Sequence, residues 1–507
     1  MKQPKAPMKL DLEFNKELLP TKPDERNWKM ENYFSIWMGN IHNVPAYVTI
    51  GGFFALGLSI GQVFWSIMIA AIILALVMVL SGHAGAKYGI PFAMLLRTSY
   101  GIRGAMLPGI IRGCIAAIMW FGFQTYAGSP AFTILIGKLW PAYLQLGGNW
   151  DFFGLSLPGL ISFLVFWTFN ILFVFGGMRI LGKFTKLLSP LVYVVFGGMA
   201  IWAIQLAGGI TPILEYSSKG VDGNTTLIFF ASISAILATW AAPIVSASDF
   251  TKEARSQKDQ SIGQIAGLIT TYLLFAIAAI AVIVGSEVAF GTPIWNVLDV
   301  VDRFNSDFAI GISVLTICMT TLAVNITGNI IPAGYQLSAL FPKHLSFKTG
   351  ALLAAVVGII IMPWKLMENA TSIFTFLNII GGLLSPVIGV MLTHYFFIAK
   401  KDLDMKDLYS ANGKYSYTNG IHVPAIIATL GAGFISLIGQ VVPFFKSLYD
   451  VSFFTGSILA SIIYFTLVTK GLFASRSVEE QGDIIKVAPK PLDRATTVSL
   501  SETVRRS

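Results

Sequence analysis

The sequence predicts an all-α integral membrane protein with about twelve transmembrane helices. Of its 507 residues, 55% are hydrophobic and 12% are charged, whereas a soluble domain carries about 25% charged residues. Apolar runs of roughly 20 residues, the length of a helix that crosses a bilayer, recur along the whole chain. Lysine and arginine concentrate in every second loop between these runs, which is typical of a multi-pass membrane protein.

The apolar runs predict twelve membrane crossings, which we number spans 1 to 12. Their predicted limits are 32–57, 62–82, 107–137, 156–178, 188–209, 225–247, 262–286, 308–336, 349–364, 371–398, 422–445 and 451–473.

The basic loops predict the orientation of the chain. They follow spans 2, 4, 6, 8 and 10, and the positive-inside rule places them in the cytoplasm. Both termini are then expected in the cytoplasm, which agrees with an even number of spans. These loops explain the net charge of +9, so we expect no nucleic-acid partner. Their basic residues are Lys87, Arg97, Arg103, Arg179, Lys183, Lys186, Lys252, Arg255, Lys258, Lys343, Lys348, Lys400, Lys401 and Lys406.

The two ends of the chain are polar. Residues 1–28 contain no short apolar core followed by a cleavage site, so we expect a cytoplasmic tail rather than a signal peptide. Residues 474–507 are expected to form a second cytoplasmic tail, after a cytoplasmic loop and spans 11 and 12 in residues 399–473. Cys114 and Cys318 both lie in apolar runs and indicate neither a disulfide framework nor a metal site.

Spans 1 and 6 contain prolines that predict interrupted helices. In span 1, WMGNIHNVPAY (37–47) places polar residues before Pro45, and in span 6, ATWAAPIVSASDF (238–250) contains Pro243. Non-helical backbone at membrane depth persists only where protein or a cavity covers it. These spans are the first in two successive sets of five, which favours an inverted-repeat transporter. The alternative is coincidence, because proline is common in membrane helices.

Polar and aromatic residues inside other spans favour a binding site. Trp120 and Gln124 lie four residues apart and therefore on one face of span 3. Asn325 and Asn329 have the same spacing in span 8, and Trp240 adjoins the interruption of span 6. Taken singly, each amide is explained by hydrogen bonding between helices and each tryptophan by packing. The set as a whole favours a ligand site between the spans.

Charged residues are missing from the predicted centres of the spans. Asp249 and Arg112 are placed toward the cytoplasmic ends. Because intramembrane charges mark ion relays and charged-substrate sites, their absence favours a neutral substrate. Amides offer a donor and an acceptor to an N–H beside a C=O, and indole faces suit a flat ring. We therefore expect a small, neutral, planar heterocycle as substrate.

Two other classes of protein fit less well. A channel would show pore helices or filter loops, and none is visible in the sequence. An enzyme would need a nucleophile with its base, or metal ligands, but the histidines are scattered, and no phosphate-binding glycine-rich motif is present. We expect neither an enzyme nor a cofactor. The histidines are His42, His83, His344, His394 and His422.

The sequence resembles the nucleobase:cation symporter-1 family, and within it the bacterial allantoin permeases, from about residue 19 to 473. The resemblance implies ten core helices (29–398) in a 5+5 inverted-repeat, LeuT-like fold, with two peripheral helices. The first repeat would cover about 29–209 and the second about 225–398. The matching motifs are IWMGNIHNVPAY, GIPFAMLLRTSYGIRGA, IAAIMWFGFQTYAGS, WAAPIVSASDFT, TGNIIPAGYQ, PWKLMEN and GGLLSPVIGVM.

The resemblance also implies which residues bind the substrate. The family's two stacking tryptophans fall on Trp120 and Trp240. Its amides fall on Gln124, Asn329 and Asn43, the last replacing a glutamine of the hydantoin-transporting relative. A backbone contact would fall on Thr239.

The family's sodium site matches this sequence only in part. Its carbonyl ligands would come from Gly39, His42 and Thr320, but its two hydroxyl ligands fall on Ala323 and Val324. Sodium needs oxygen ligands, so we expect proton coupling, or exchange with weak ion dependence. His42 either titrates near neutral pH or is a neutral histidine making one hydrogen bond.

These features together predict a secondary transporter of the bacterial cytoplasmic (inner) membrane. It would import allantoin, a ureide from purine breakdown, by alternating access and with proton coupling. The alternative is a permease for hydantoin or a nucleobase such as uracil, cytosine or a purine. Its expected partners are this substrate and the lipid bilayer, and a monomer is the expected state.

Overall fold

The computed structural model describes residues 18–176, 178–292, 294, 297–341 and 343–473. Residues 1–17 of the expected N-terminal tail and all of the C-terminal tail from residue 474 lie outside this range. The described chain is helical apart from loops and one short hairpin, in which Asp151–Phe152 pairs with Leu155–Ser156 between spans 3 and 4.

Helices occupy all twelve predicted span positions in the described part of the chain. Eight are long and apolar enough to cross a membrane, and they correspond to spans 2, 3, 4, 7, 8, 10, 11 and 12. Their bounds are Ile60–Tyr88, Met106–Leu139, Leu157–Phe175, Gln257–Phe290, Asp307–Ser338, Thr371–Ile398, Val423–Gln440 and Ser452–Thr469.

Four shorter apolar helices fill the remaining positions, namely spans 1, 5, 6 and 9. They are Val44–Ala55, Pro190–Leu206, Thr225–Thr239 and Phe347–Ile360. The helix of span 5 as a whole runs over Met178–Leu206. The predicted all-α membrane architecture is therefore confirmed.

Several helices continue beyond the apolar runs that predicted them. Span 2 begins after Ser59, whose hydroxyl accepts the N–H of Gln62, and ends at Gly89 in the left-handed conformation. Span 7 begins after Ser256, whose hydroxyl accepts the N–H of Asp259. Capping residues end a helix where its free backbone groups are satisfied, which need not coincide with the edge of the apolar run.

Spans 1 and 6 are both interrupted, as predicted. Span 1 consists of Met30–Asn40 and Val44–Ala55, and Pro45 is the second residue of the second half, where a missing N–H costs nothing. Span 6 consists of Thr225–Thr239 and Ala241–Val245, followed by the short helix Ser248–Thr251. The breaks thus lie just before the prolines.

Three spans contain a π-helical turn in the part of the chain that the structure describes, an irregularity that often marks functional sites. These turns are Ile111–Ala116 in span 3, Ile326–Ile330 in span 8 and His394–Ile398 in span 10. After them the helices continue as Ala117–Gly128 in span 3 and Ile331–Leu340 in span 8.

Shorter helices connect the spans. One of nine residues, Phe92–Tyr100, lies between spans 2 and 3. The other α-helical and 3₁₀-helical pieces of the connecting segments are Pro141–Gln145, Ile210–Leu214, Val297–Asp302, Pro363–Leu366, Met405–Leu408, Lys414–Ser416, Pro443–Phe445 and Lys446–Asp450.

Spans 3 and 9 pack closely at a pair of glycines. A Cβ atom built on Gly122 would lie 2.6 Å from the Gly358 carbonyl oxygen. Small residues let membrane helices approach closely and gain van der Waals contact. This contact lies on the same turn of span 3 as Trp120 and Gln124 and so helps to fix their position.

Replacing Gly122 with alanine should lower the melting temperature of the purified protein, because the new methyl group would force spans 3 and 9 apart. We expect a destabilisation of about 1–3 kcal/mol, as for other overpacked sites, measured by thermal shift in detergent.

The matched control is Gly431→Ala in span 11, where an added Cβ would meet no atom within 4 Å. This variant should melt at or slightly above the wild-type temperature, because alanine favours helix more than glycine does. Equal melting temperatures for the two variants would contradict the close approach at Gly122.

Candidate substrate site

Trp120 and Gln124 lie one turn apart in the helix Ala117–Gly128, and each is only 4% exposed. The indole of Trp120 packs edge-on against Phe376 of span 10, with ring centroids 4.9 Å apart. Among the described residues, Trp120 Nε1 and Gln124 Oε1 have no hydrogen-bond partner. The pair therefore presents one donor and one acceptor that the surrounding protein does not satisfy.

Trp240 lies at the break of span 6, between the helices Thr225–Thr239 and Ala241–Val245. Its Nε1 donates to the hydroxyl of Tyr272 in span 7. Its ring packs edge-on against Trp37 of span 1 at 5.4 Å between centroids. Trp240 is thus held by spans 1 and 7. It differs from Trp120 because its Nε1 already has a hydrogen-bond partner.

Asn329 belongs to a chain of buried amides that joins spans 3, 4 and 8. Asn329 Nδ2 donates to Asn325 Oδ1 at 2.9 Å. Asn325 Nδ2 lies 3.0 Å from Thr125 Oγ1 and 3.1 Å from Asn170 Oδ1. Asn170 in turn donates to the Phe166 carbonyl at 2.8 Å. A buried hydrogen-bond network rigidifies the side chains in it when its polar groups are paired. This network therefore fixes the orientation of Asn329.

Asn43 caps the second half of span 1. Its Oδ1 accepts the N–H of Ala46 at 3.1 Å, and its Nδ2 donates to the Asn40 carbonyl at 2.8 Å. The side chain therefore stabilises the break itself, a function that the sequence pattern did not indicate. A contact between Asn43 and a substrate stays a prediction.

Thr239 is the last residue of the first half of span 6. Its hydroxyl donates to the Ala235 carbonyl of the preceding turn at 3.0 Å. Pro243, four residues later, has no N–H to donate to the Thr239 carbonyl in a helical pattern. A backbone contact at this position is thus consistent with the local geometry.

The residues predicted for a cation site lie in spans 1 and 8. Gly39 lies just before the break of span 1 and His42 lies within it. The helix Met30–Asn40 contacts the helix Asp307–Asn325 of span 8. Thr320 is buried there, and its hydroxyl donates to the Ile317 carbonyl at 3.0 Å. The structure thus brings the helices of these residues into contact.

His42 is buried among aromatic rings. Its Nδ1 lies 3.3 Å from the Tyr47 hydroxyl, and the rings of Tyr193, Phe196 and Phe275 lie 5.0–5.4 Å from it between centroids. Within the described chain, no carboxylate pairs with His42. Because a buried charge is costly without a partner, this environment favours the neutral imidazole with one hydrogen bond.

A cavity of about 490 Å³ is lined by residues of spans 1, 3 and 10 and of the segments that follow spans 7 and 9. Val48 of span 1, Tyr126 of span 3 and Ile373 of span 10 line it. Tyr126 is two residues beyond Gln124 and therefore on a different face of the helix. The cavity is of the size of small-molecule sites, but neither Trp120 nor Gln124 lines it.

Sequence patterns missed three residues around the site. Tyr272 and Asn170 contact the site through residues of other spans, Trp240 and Asn325, and no spacing within one span reveals such contacts. Arg112 was expected near the cytoplasmic end of span 3, but the structure buries its side chain among spans 3, 6 and 8. The signal that could have found it is an arginine inside an apolar run.

The interrupted spans and the buried ring-and-amide site define a multi-pass membrane transporter. The family model described as "Permease for cytosine/purines, uracil, thiamine, allantoin" matches residues 20–456. The chain belongs to this family, the nucleobase:cation symporter-1 permeases, and is not an enzyme.

Two curated relatives cover nearly the same length. The Escherichia coli K12 protein named "Putative allantoin permease" is 51% identical over 471 residues, covering 92% of this chain and 97% of that protein. The Bacillus subtilis 168 protein named "Allantoin permease" is 45% identical over 468 residues, covering 92% of this chain and 95% of that protein.

A solved structure shares the fold. It is that of Mhp1, a nucleobase-cation-symport-1 family transporter, in a closed conformation with bromovinylhydantoin bound. The match has a TM-score of 0.72 at 23% identity and covers 93% of this chain and 99% of Mhp1. The fold expected from the resemblance is therefore confirmed.

Replacing Asn325 with alanine should destabilise the protein by about 1–3 kcal/mol, because it leaves the buried amides of Asn170 and Asn329 without their partner. Thermal shift of the purified variant measures the loss. The control is Thr327→Ala on the same span, whose exposed hydroxyl bonds only within its own helix. That substitution should change the free energy of unfolding by no more than about 0.5 kcal/mol. A wild-type melting temperature for Asn325→Ala would show that the network contributes nothing.

Proposed function

We propose that this permease imports allantoin by alternating access. The observation that carries the proposal is the buried pair Trp120 and Gln124, whose donor and acceptor the protein leaves unsatisfied. Allantoin is a hydantoin ring with a ureido group, so it offers adjacent N–H and C=O groups in one neutral molecule. Two relatives at 51% and 45% identity are named as allantoin permeases, which supports this substrate.

The proposed roles follow from the chemistry of each group. Gln124 Oε1 accepts a ring N–H of the substrate, and Trp120 packs its indole face on the ring. Trp240, fixed by Tyr272, covers the opposite face, and Asn329 reads the ureido or carbonyl edge. Thr239 adds a backbone contact. Asn43 both caps span 1 and reaches the substrate with the second lone pair of its Oδ1, because its Nδ2 already donates to two carbonyls.

A second candidate is a permease for hydantoin or a nucleobase. The family description includes cytosine, purines and uracil, and the N–H beside C=O edge of uracil fits the same amides. Only the relative affinities of the protein for allantoin and for these other heterocycles separate the two candidates, because all of these ligands are small, flat and neutral.

Proton coupling, or exchange with weak ion dependence, is proposed in place of sodium coupling. Gly39, His42 and Thr320 could offer carbonyl oxygens, but Ala323 and Val324 bring no hydroxyl to complete a sodium site. A cation site with fewer hard oxygen ligands binds sodium weakly.

The membrane arrangement is also a proposal. Both termini and the basic loops face the cytoplasm of a bacterial cell, and the protein lies in the cytoplasmic membrane as a monomer. Residues 1–28 form a tail, 29–209 and 225–398 the two repeats of the core, 399–473 the cytoplasmic loop with spans 11 and 12, and 474–507 a second tail.

Binding of a panel of heterocycles to the purified protein tests the substrate. Tryptophan fluorescence titrations with allantoin, hydantoin, uracil, cytosine and hypoxanthine should give the lowest Kd for allantoin. Trp120→Ala and Trp240→Ala should each weaken binding by about 1–3 kcal/mol, by analogy with base–aromatic stacking. Gln124→Leu keeps the size of the side chain and should abolish uptake while the protein still reaches the membrane.

The matched control for both tryptophan variants is Trp65→Ala, since Trp65 is 58% exposed on the outside of span 2. It should leave the Kd unchanged. Tighter binding of uracil or hydantoin would favour the second candidate, and normal uptake by Gln124→Leu would make that amide a contact between helices only.

Uptake into proteoliposomes tests the coupling ion. An inward proton gradient should stimulate allantoin uptake, and a sodium gradient of the same size should have little effect, because the hydroxyl ligands at 323 and 324 are missing. Potassium in place of sodium serves as the ionic-strength control. Strong and specific stimulation by sodium would refute the proposed coupling.

A further inference from the structure

Arg112 is a buried cation that joins three spans. It lies in the π-helical turn Ile111–Ala116 of span 3 and is only 3% exposed. Its Nε donates to the Ala242 carbonyl of span 6 at 2.9 Å, and its Nη2 donates to the Gly328 carbonyl of span 8 at 3.1 Å. The hydroxyl of Ser246 in span 6 lies 3.3 Å from Nη2.

The carbonyls that Arg112 binds lie where spans 6 and 8 are irregular. Gly328 is in the π-helical turn Ile326–Ile330, and Pro332, four residues later, has no N–H to donate to it in an α-helical pattern. Ala242 lies in the short helix Ala241–Val245 next to the break of span 6. A carbonyl at membrane depth needs a donor, and the guanidinium of Arg112 supplies one to each irregular segment.

Arg112 makes these contacts without an ion pair. No carboxylate of the described residues lies within ion-pair distance of it. Asp249, just after span 6, interacts with Arg112 electrostatically over a longer distance and accepts the N–H of Phe92. A buried charge is expensive, and a charge inside a membrane span is by default functional. The hydrogen bonds of Arg112 go to two backbone carbonyls and one hydroxyl, and its counter-charge, Asp249, is not one of its hydrogen-bond partners.

The two carbonyls flank proposed substrate contacts. Gly328 directly precedes Asn329, and Ala242 follows Trp240 by two residues. Arg112 itself precedes Trp120 by eight residues on span 3, which is about 12 Å along a helix. One side chain therefore links the backbone segments of three of the four spans that carry the proposed site, namely spans 3, 6 and 8.

We propose that Arg112 is a positioning residue for substrate binding, which holds the Trp240 segment of span 6 and the Asn329 segment of span 8 against span 3. This inference rests on the proposed function, because it assigns the substrate site to those residues. Without the guanidinium, the Trp240 and Asn329 segments lose their shared hydrogen-bond donor. The indole of Trp240 and the amide of Asn329 would then no longer contact the ligand at the same time. A purely architectural arginine would change the melting temperature and leave the affinity of the folded protein unchanged.

The test compares Arg112→Met, Arg112→Lys and Ser246→Ala in the full-length protein. Kd is measured by tryptophan fluorescence with allantoin, and KM and Vmax by uptake into proteoliposomes. Arg112→Met removes all donors and should raise Kd and KM by about tenfold, with a smaller change in Vmax. Arg112→Lys should fall between wild type and Arg112→Met, because an ammonium is a point donor and lacks the planar fork.

Ser246→Ala is the matched control. It removes one neighbour of the guanidinium but keeps both carbonyl contacts, so Kd should stay within about twofold of wild type. If Arg112→Met does not fold, Arg112→Lys decides the question. A wild-type Kd and KM in folded Arg112→Met, or in Arg112→Lys when Arg112→Met is unfolded, would overturn the proposal.

The wild-type titration keeps the two proposals apart. If the protein binds uracil or hydantoin instead of allantoin, the substrate assignment fails, and the same variants measured with the bound heterocycle still decide the role of Arg112. If the wild type binds none of the heterocycles of the panel, both proposals fail.

Discussion

The structure depends on one constraint, which is that a backbone N–H or C=O inside the bilayer must find a partner within the protein. A regular helix meets it by itself, but spans 1, 6 and 8 are interrupted or π-helical. Side chains therefore supply the missing partners. Asn43 caps the break of span 1, and Arg112 binds carbonyls of spans 6 and 8. These polar groups supply the hydrogen bonds that an irregular backbone needs inside the bilayer.

The same constraint separates two kinds of polar residue that look alike in the sequence. Asn325 and Asn43 are used by the protein, one in an amide network and the other in a helix cap. Gln124 Oε1 and the indole nitrogen of Trp120 are buried with no partner in the described chain. The first kind fixes the shape of the site, and the second kind is available to a ligand. This division makes the transport proposal chemically specific.

The electrostatic character of the core is less neutral than its sequence indicates. The spans contain a buried guanidinium, which donates to backbone carbonyls of spans 6 and 8. His42, by contrast, is enclosed by aromatic rings and one hydroxyl, which favours its neutral form. A neutral heterocycle remains compatible with this site, because Nε and Nη2 of Arg112 donate to backbone oxygens.

The sequence by itself determined the class of protein, the number of spans and the two interruptions, because hydropathy, loop charge and proline act locally along the chain. It also placed Trp120 and Gln124 on one helix face, since their spacing is that of one turn. The tertiary structure alone decided which polar groups are satisfied. The bonds from Asn325 to Asn170, from Trp240 to Tyr272 and from Arg112 to Gly328 join different spans. Contacts between residues far apart in the chain depend on how helices pack, and no periodicity within one helix encodes them.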